Sequence, residues 1–193
     1  MTPRIFTVFL VAATASCSSA PDRYYTLMPA GRPASAASTS TVERVVVVGP
    51  VTVPAVLNQT QLVLTGERQQ MDVREAERWA APFREEFTGA LAARLEALLP
   101  QMAVAVHQQS AATDAGQRIE IDVSRFDLGP GRQTQLEVLW AVRSEDPMAE
   151  RRGRTRIAET AQGEGFEALA AAQGRALDRL AQTLAAAVVA AAR

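Results

Sequence analysis

The chain contains 193 residues, of which 48% are hydrophobic, and its formal net charge at pH 7 is −1. A chain of this length and composition suits one folded domain with an apolar core. The near-neutral charge argues against nucleic acid as a partner. The single cysteine, Cys17, excludes an intramolecular disulfide bond.

The first residues are typical of a secretory signal. Arg4 supplies a positive charge ahead of an apolar stretch over residues 5–15. This stretch is shorter than the roughly 20 residues that a stable transmembrane helix needs, and its length suits the apolar region of a signal peptide. We therefore expect residues 1–16 to be a signal peptide and the mature chain to be exported.

The only cysteine has the surroundings of a lipoprotein cleavage site. Two small residues, Ala15 and Ser16, precede Cys17, although Thr14 stands where leucine is usual. This pattern predicts cleavage before Cys17 and acylation of its sulfur, so that lipid anchors the chain on the periplasmic face of a membrane. An ordinary signal peptide cut near Ala20 and a free thiol are the alternatives. Two serines follow the cysteine, without the aspartate that can signal inner-membrane retention, which favours the outer membrane.

The start of the mature chain predicts a short tether. Residues 17–22 are small and polar, and residues 23–28 favour a strand because aromatic and β-branched side chains suit a pleated sheet. Residues 29–42 are rich in Pro, Gly, Ser and Ala and predict a flexible loop. If residues 23–28 pair into the sheet, the tether reaches only about 20 Å; otherwise it extends to about Glu43. We predict the short tether, because tyrosines and a leucine in a free linker would expose apolar surface.

Strands are predicted next along the chain. Residues 44–48 form a continuous apolar run, typical of a strand buried on both faces. Residues 62–65 and 69–73 flank a turn over residues 66–68 and predict a hairpin.

The first helix is predicted over residues 82–99. Pro82 suits its first position, and Pro100 ends it. Its apolar residues repeat at three- and four-residue steps. We expect Trp79 and this helix face to form the domain core rather than a lipid-carrying tunnel; the face comprises Phe83, Phe87, Leu91 and Leu95.

The second half predicts a long hairpin and a final helix. A short strand over residues 102–106 comes first. Apolar residues then alternate from Ile119 and change phase at Phe126, which predicts a β-bulge near residues 124–125. The remaining elements are a turn at residues 129–131, a strand at 136–142, a weak edge strand at 153–161 and a helix at 166–192.

This order of elements predicts an α/β fold with α+β-like order. We expect a mixed β-sheet with two main helices in one domain over residues 23–193. The sequence leaves open whether the helices cover one face of the sheet or both.

The sequence contains no motif of an active site or a cofactor site. Its single histidine, His107, ends a predicted strand and lies beside no cysteine, so a His/Cys metal site is not expected. A nucleophile elbow, a P-loop and a Rossmann fingerprint are all missing. Catalysis would remain possible only through paired carboxylates, which the sequence alone does not locate. We predict a protein without catalytic residues, metal or cofactor.

A basic cluster leads into the predicted edge strand: Arg151, Arg152, Arg154 and Arg156. These side chains could contact anionic lipid headgroups or an acidic partner. Charges on an edge strand also prevent edge-to-edge aggregation, and we favour this second interpretation.

Three short motifs together resemble the ABC-type transport auxiliary lipoproteins, a family that includes the PqiC lipoprotein of the paraquat-inducible system. Tyr-Tyr-Thr-Leu follows soon after the cysteine, Val-Gly-Pro-Val with Val-Pro comes next, and Arg-Trp-Ala-Ala-Pro-Phe opens the first helix. The helix motif differs from the usual Trp-Ala-Glu-Pro-Leu at Ala81 and Phe83, and Asn58 stands where many relatives carry arginine. The residues that the resemblance singles out, for the core or for partner contact, are Tyr24, Tyr25, Leu27, Pro50, Pro54, Arg78, Trp79 and Pro82.

The resemblance implies a non-enzymatic part in a system that moves lipids between the inner and outer membranes. Such systems pair an ATPase and a permease with a periplasmic protein bearing mammalian-cell-entry (MCE) domains. The lipoprotein would dock that periplasmic protein at the outer membrane, and a homo-oligomer is compatible with this part. The alternative is an envelope lipoprotein that regulates cell-wall synthesis or serves a structural purpose.

Overall fold

The computed structural model describes residues 21–31, 44–66, 70–107, 116–129 and 132–192. The predicted signal peptide, Cys17 and most of the predicted loop over residues 29–42 lie outside the described residues.

The first half of the domain contains a hairpin and the first helix. The hairpin prediction is confirmed, because β3 and β4 pair antiparallel. The first strand is shorter than predicted, because the chain after Tyr25 leaves the sheet and packs against the first helix. The elements are β1 (Arg23–Tyr25), β2 (Val45–Thr52), β3 (Gln61–Thr65), β4 (Met71–Trp79), α1 (Phe83–Leu98) and β5 (Ala103–Val106).

The second half contains a long meander and the second helix. The predicted bulge is confirmed by a shift in register between Val123 and Arg125. The last strand pairs only with its predecessor among the described residues, as an edge strand does. The elements are β6 (Gln117–Gly129), β7 (Gln133–Ser144), a 3₁₀ turn (Pro147–Ala149), β8 (Arg151–Thr160) and α2 (Gly165–Ala191).

Within the described residues, eight strands form one mixed sheet, which confirms the predicted fold class. The order is β1-β4-β3-β6-β2-β5, and β7 and β8 continue from β6. Strand β2 pairs with the first half of β6, and β3 meets β6 near its end, so β2 and β3 lie end to end along one long strand.

Both helices pack on the same face of this sheet, which answers the question that the sequence left open. Helix α1 contacts β2 and β5, α2 contacts β7 and β8, and the two helices contact each other. Their apolar faces meet in one continuous cluster that includes Phe87, Leu91, Leu180 and Leu184, all fully buried.

Strand and helix directions give the molecule two distinct ends. At the helix end, α1 and α2 finish beside the start of β2: the Ala103 amide donates to Arg44 O, and Arg44 Nη1 donates to Ala192 O. At the hairpin end lie the β3–β4 connection and the β6–β7 turn, because Leu64 pairs with Leu128. The β8–α2 loop is there too, since the Ala161 amide donates to Arg132 O.

Candidate functional site

The motif at the start of the mature chain forms a parallel strand beside the motif that opens α1. Tyr24 pairs with Arg78 and Tyr25 pairs with Trp79. The Ala80 amide donates to Tyr25 O at 2.8 Å. Two of the three motif segments are therefore neighbours in the fold, and the pairing that the short tether requires is present.

Polar contacts reinforce this strand pair. The Tyr25 hydroxyl donates to the Glu77 carboxylate, which also lies 3.6 Å from Arg23 Nη1. Burial, and then the hydrogen bond to Glu77, raise the pKa of the Tyr25 hydroxyl above its ordinary value. Tyr24, by contrast, is exposed.

Two buried charged side chains of α1, Glu86 and Arg94, hold the chain just after β1. Glu86 Oε1 accepts the Leu27 amide at 2.6 Å and also the Thr26 hydroxyl. Arg94 Nη1 donates to Leu27 O at 2.7 Å, and Arg94 Nε lies 2.6 Å from Asp178 Oδ1 on α2. The amide and the carbonyl of the buried Leu27 are therefore both hydrogen-bonded. We call this arrangement the clamp; it comprises Glu86, Arg94, Leu27 and Asp178.

Sequence reasoning missed the clamp. It singled out neither Glu86 nor Arg94. Both side chains are in fact buried, 7% and 8% exposed. The available signal was their spacing: positions 86, 90 and 94 follow four-residue steps next to the apolar face, where solvated charges are not expected.

Trp79 and the predicted helix face form the core, as expected. Trp79, Phe83, Phe87, Leu91 and Leu95 are all buried. The ring of Phe83 packs 5.2 Å from that of Phe126 and 6.2 Å from that of Trp79, between centroids. The cavity beside these rings measures about 10 Å³, which holds at most one water molecule. This part of the described chain therefore has no room for an acyl chain.

The Gly-Pro motif of β2 lines an open cleft of about 430 Å³ on the side of the domain. The Gly49–Pro50 peptide bond is cis, and Pro50 is exposed. Arg84 and Thr88 of α1 and the exposed His107 also line the cleft. The Nδ1 atom of His107 lies 2.6 Å from Arg118 Nη1 and accepts a hydrogen bond from it, because a guanidinium group only donates.

Pro54 and Pro82 have local structural positions. Pro54 opens a turn, because its carbonyl accepts the Leu57 amide at 2.9 Å. After that turn, Thr60 O accepts a hydrogen bond from the Trp79 amide at 2.6 Å. Pro82 lies immediately before α1 rather than at the predicted first helical position, and its carbonyl accepts the Glu86 amide at 3.0 Å. The chain that follows Pro54, in the second motif, therefore helps to hold Trp79, in the third motif, in place.

Arg78 joins Asp22, the residue before β1, to the fold. Its Nε atom lies 3.2 Å from Asp22 Oδ2 and donates to Glu75 O at 3.1 Å. Arg78 therefore holds the last residues before β1 alongside β4.

An apolar groove of about 500 Å³ lies at the helix end, between the last turns of α1 and α2. Leu98 and Val189 are 43% and 40% exposed there. Small side chains from α2, Ala185 and Ala186, form the floor. An exposed apolar groove with small side chains is a common feature of protein interaction sites.

The four arginines of the predicted basic cluster are divided between two faces. Arg151 faces the helices, and its Nη2 atom donates to Ala190 O at 3.4 Å. The other three lie on the outer face beside carboxylates: Arg152 contacts Glu150, and Arg154 and Arg156 both contact Glu137. Because each of these three has an acidic neighbour, the outer face is not a free basic patch.

Two kinds of feature are missing from the described residues. No group of three or more His, Cys, Asp or Glu side chains in these ranges could hold a metal ion. No helix within them is long and apolar enough to cross a bilayer. The features that stand out are an N-terminal strand held by buried charges and two surface depressions.

Comparison with known protein families identifies the family of this chain. The sequence matches the family described as "ABC-type transport auxiliary lipoprotein component" over residues 25–185. The chain belongs to this family. The match begins inside β1 and ends inside α2, so it includes the clamp and the cleft beside Pro50, whereas Tyr24 of the first motif and Val189 of the apolar groove lie just outside it. Proteins of characterised function include no significant sequence match.

Solved structures share the fold. An uncharacterised protein superposes with a TM-score of 0.70 at 17% identity, over 86% of this chain and 97% of its own. A Xanthomonas campestris protein of the DUF330 family gives 0.59 at 14% identity, over 85% and 83%. A hypothetical protein of Chlamydia trachomatis gives 0.51 at 10% identity, over 75% and 97%. At these identities the similarity establishes the fold alone.

Proposed function

We propose that this auxiliary lipoprotein is anchored by lipid on Cys17 to the outer membrane, facing the periplasm. There it docks the MCE-domain protein of an ABC system that moves lipids between the inner and outer membranes. The observation that carries the proposal is the pairing of β1 with β4, reinforced by the clamp. It leaves five residues, 18–22, between Cys17 and the folded domain.

A short tether suits a docking component. Five or six extended residues reach about 20 Å, so the domain stays within about one domain diameter of the bilayer. A partner bound to such a domain is held near the membrane, whereas a long linker would let the two drift apart. The clamp keeps the tether short, because Leu27 is bound on both sides by buried charged groups.

The helix end is the surface that we assign to the MCE-domain partner. The chain enters the domain from the other direction, so the groove beside Leu98 and Val189 points away from the anchored end. We expect an apolar segment of the partner to fill it. The packed core supports docking rather than lipid carriage, because it has no room for an acyl chain. Lipid would then have to pass through the partner.

Two measurements test the anchoring. Intact-mass analysis of the membrane fraction should show a mature chain that begins at a diacylglyceryl-modified Cys17, and density-gradient fractionation should place it with the outer membrane. A soluble mature form that begins after Ala20 would contradict the proposal. Neighbouring genes for a permease, an ATPase and an MCE-domain protein would favour transport over cell-wall regulation.

A third measurement tests the docking surface. The Leu98→Asp and Val189→Asp variants should lose co-purification with the MCE-domain protein while keeping the stability of the domain. Leu139→Asp is the matched control, because Leu139 is at least as exposed, at 48%, but lies on the outer face of β7. Equal retention of the partner by all three variants would exclude the groove as the docking site.

A further inference from the structure

The direction in which the tether leaves the domain is defined by the structure. Strand β1 is parallel to β4, with Arg23 opposite Glu77. The chain before Arg23 therefore runs toward the start of β4. Arg78 confirms this direction, because its Nε atom contacts both Asp22 and the carbonyl of Glu75, further back along β4. The anchored terminus thus leaves toward the hairpin end of the molecule.

The tether is long enough to let the hairpin reach the bilayer. Five residues separate Cys17 from Arg23, and a fully extended tether spans about 20 Å. Met71 lies six residues before Glu77 on β4, but the register of β4 against β3 shifts between Arg74 and Arg78, so Met71 is closer to Glu77 than the roughly 20 Å of a regular strand. A tether anchored in the bilayer therefore allows Met71 to come down to the level of the bilayer surface.

The hairpin carries apolar side chains at that level. Met71 and Val73 are 48% and 37% exposed and share one face of β4. Every residue from 71 to 75 is exposed, although residues 71–74 pair with β3. The neighbouring charges, Asp72 and Arg74, form an ion pair of 2.9 Å. The described part of β4 at this end therefore presents apolar surface without a surplus of positive charge.

We propose that the β3–β4 hairpin rests on the bilayer, with Met71 and Val73 in the headgroup region, and that this contact orients the domain. The inference rests on the proposed acylation of Cys17. The lipid supplies the affinity for the membrane, so the hairpin needs only to favour one orientation over others. With the hairpin end down, the helix end and its apolar groove face the periplasm. Because the paired charges contribute little, the contact does not depend on anionic lipid.

The single cysteine makes a direct test possible. In the acylated full-length protein the Cys17 sulfur is a thioether, so a cysteine introduced elsewhere is the only reactive thiol. Met71→Cys and Leu139→Cys are matched variants, because both native side chains are 48% exposed. Leu139 pairs with Asp122, six positions before Leu128 along β6, and so lies far from the hairpin end. Each variant is labelled with a polarity-sensitive fluorophore and reconstituted into phosphatidylethanolamine–phosphatidylglycerol vesicles.

The expected result is a blue-shifted emission at position 71, quenched several-fold more strongly by lipids that carry a quencher near the headgroup than the label at position 139. Replacing phosphatidylglycerol with neutral phosphatidylcholine should leave this ratio unchanged. Equal quenching at both positions in protein that floats with the vesicles would overturn the hairpin contact alone. A blue shift at position 71 that grows with protein concentration in detergent would instead assign the hairpin to a second copy of the chain.

The labelling also separates this inference from the proposed function. The wild-type protein should take up no thiol reagent and should float with the vesicles. A wild-type chain that reacts at Cys17 and fails to float would overturn both the acylation and the hairpin contact that rests on it.

Discussion

The clamp and the outer face of β8 use the same chemistry in different surroundings. In the clamp, Arg94 and Glu86 are buried and bind the backbone of Leu27. On the outer face, three arginines contact Glu137 and Glu150 in solvent; we call them the arginine row: Arg152, Arg154 and Arg156. Removing one partner from a buried polar network leaves the others unsatisfied, whereas water replaces a lost partner on the surface. Burial, rather than the number of ion pairs, therefore decides which region holds the fold together.

The largest effect is expected in the core beneath the clamp. Phe87 is fully buried and packs against Phe83 and Phe126. The Phe87→Ala substitution should reduce the free energy of unfolding by about 3–5 kcal/mol, measured by urea denaturation. Leu139→Ala on the surface should change it by no more than about 0.5 kcal/mol. A Phe87→Ala protein with unchanged stability and lost function would favour a lipid tunnel over a packed core.

The clamp itself should show the next effect. Glu86→Ala removes the acceptor for the Leu27 amide, and leaving such a buried group unpaired costs about 1–3 kcal/mol. Amide hydrogen exchange should be slow at Leu27 in the wild type and much faster in this variant. Glu86→Gln is the control, because its amide oxygen keeps an acceptor in place. Fast exchange at Leu27 in the wild type would contradict both the clamp and the short tether.

The inner face of β8 should be more sensitive than the arginine row beside it. A Cβ atom at Gly153 would lie 2.4 Å from the Trp140 ring. That ring is also fixed by a hydrogen bond of 2.9 Å to the Thr155 hydroxyl. Gly153→Ala should therefore destabilise the domain by about 1–3 kcal/mol through overpacking. Thermal unfolding of Gly153→Ala and of its neighbour Arg152→Ala, compared directly, tests this difference.

The arginine row should contribute little to stability. Arg154→Ala or Arg156→Ala should reduce the free energy of unfolding by about 0–1 kcal/mol, because exposed ion pairs are weak. If these charges protect an edge strand, replacing the row with threonines should instead increase aggregation, measured by light scattering. Loss of partner binding without aggregation would favour an acidic partner over protection of the edge.

The smallest effect concerns pH. Hydrogen bonds from Arg152 and then Arg143 hold the pKa of Glu150 below its ordinary value. A carboxyl group whose pKa is lower in the folded state adds stability that is present above its unfolded pKa and is lost as pH falls through the folded pKa. The wild type should therefore lose its small advantage over Glu150→Gln on acidification. Added salt should weaken the advantage at neutral pH, since the pair is exposed.

The sequence alone determined the elements whose signal is local. The alternation of Ile119, Ile121 and Val123 and its change of phase at Phe126 predicted both β6 and its bulge, because side chains in a strand alternate strictly between two faces. The four-residue repeat of Phe83, Phe87 and Leu91 predicted the buried face of α1 for the equivalent reason. Each of these patterns lies within a single element, so it can be recognised without knowing what that element packs against.

Only the tertiary structure decided how the chain begins and where its charges lie. The clamp joins Leu27 to Glu86 and Arg94, 59 and 67 positions away, and no local pattern encodes such a contact. The parallel pairing of β1 with β4 likewise fixes the direction of the tether. The four neighbouring arginines of the sequence became an inward-facing Arg151 and an outward-facing row, because adjacent residues of a strand point to opposite faces. Contacts between residues far apart in the sequence, and the side of the sheet on which a residue lies, are properties of the packed fold, and they decide the surface that we propose faces the membrane.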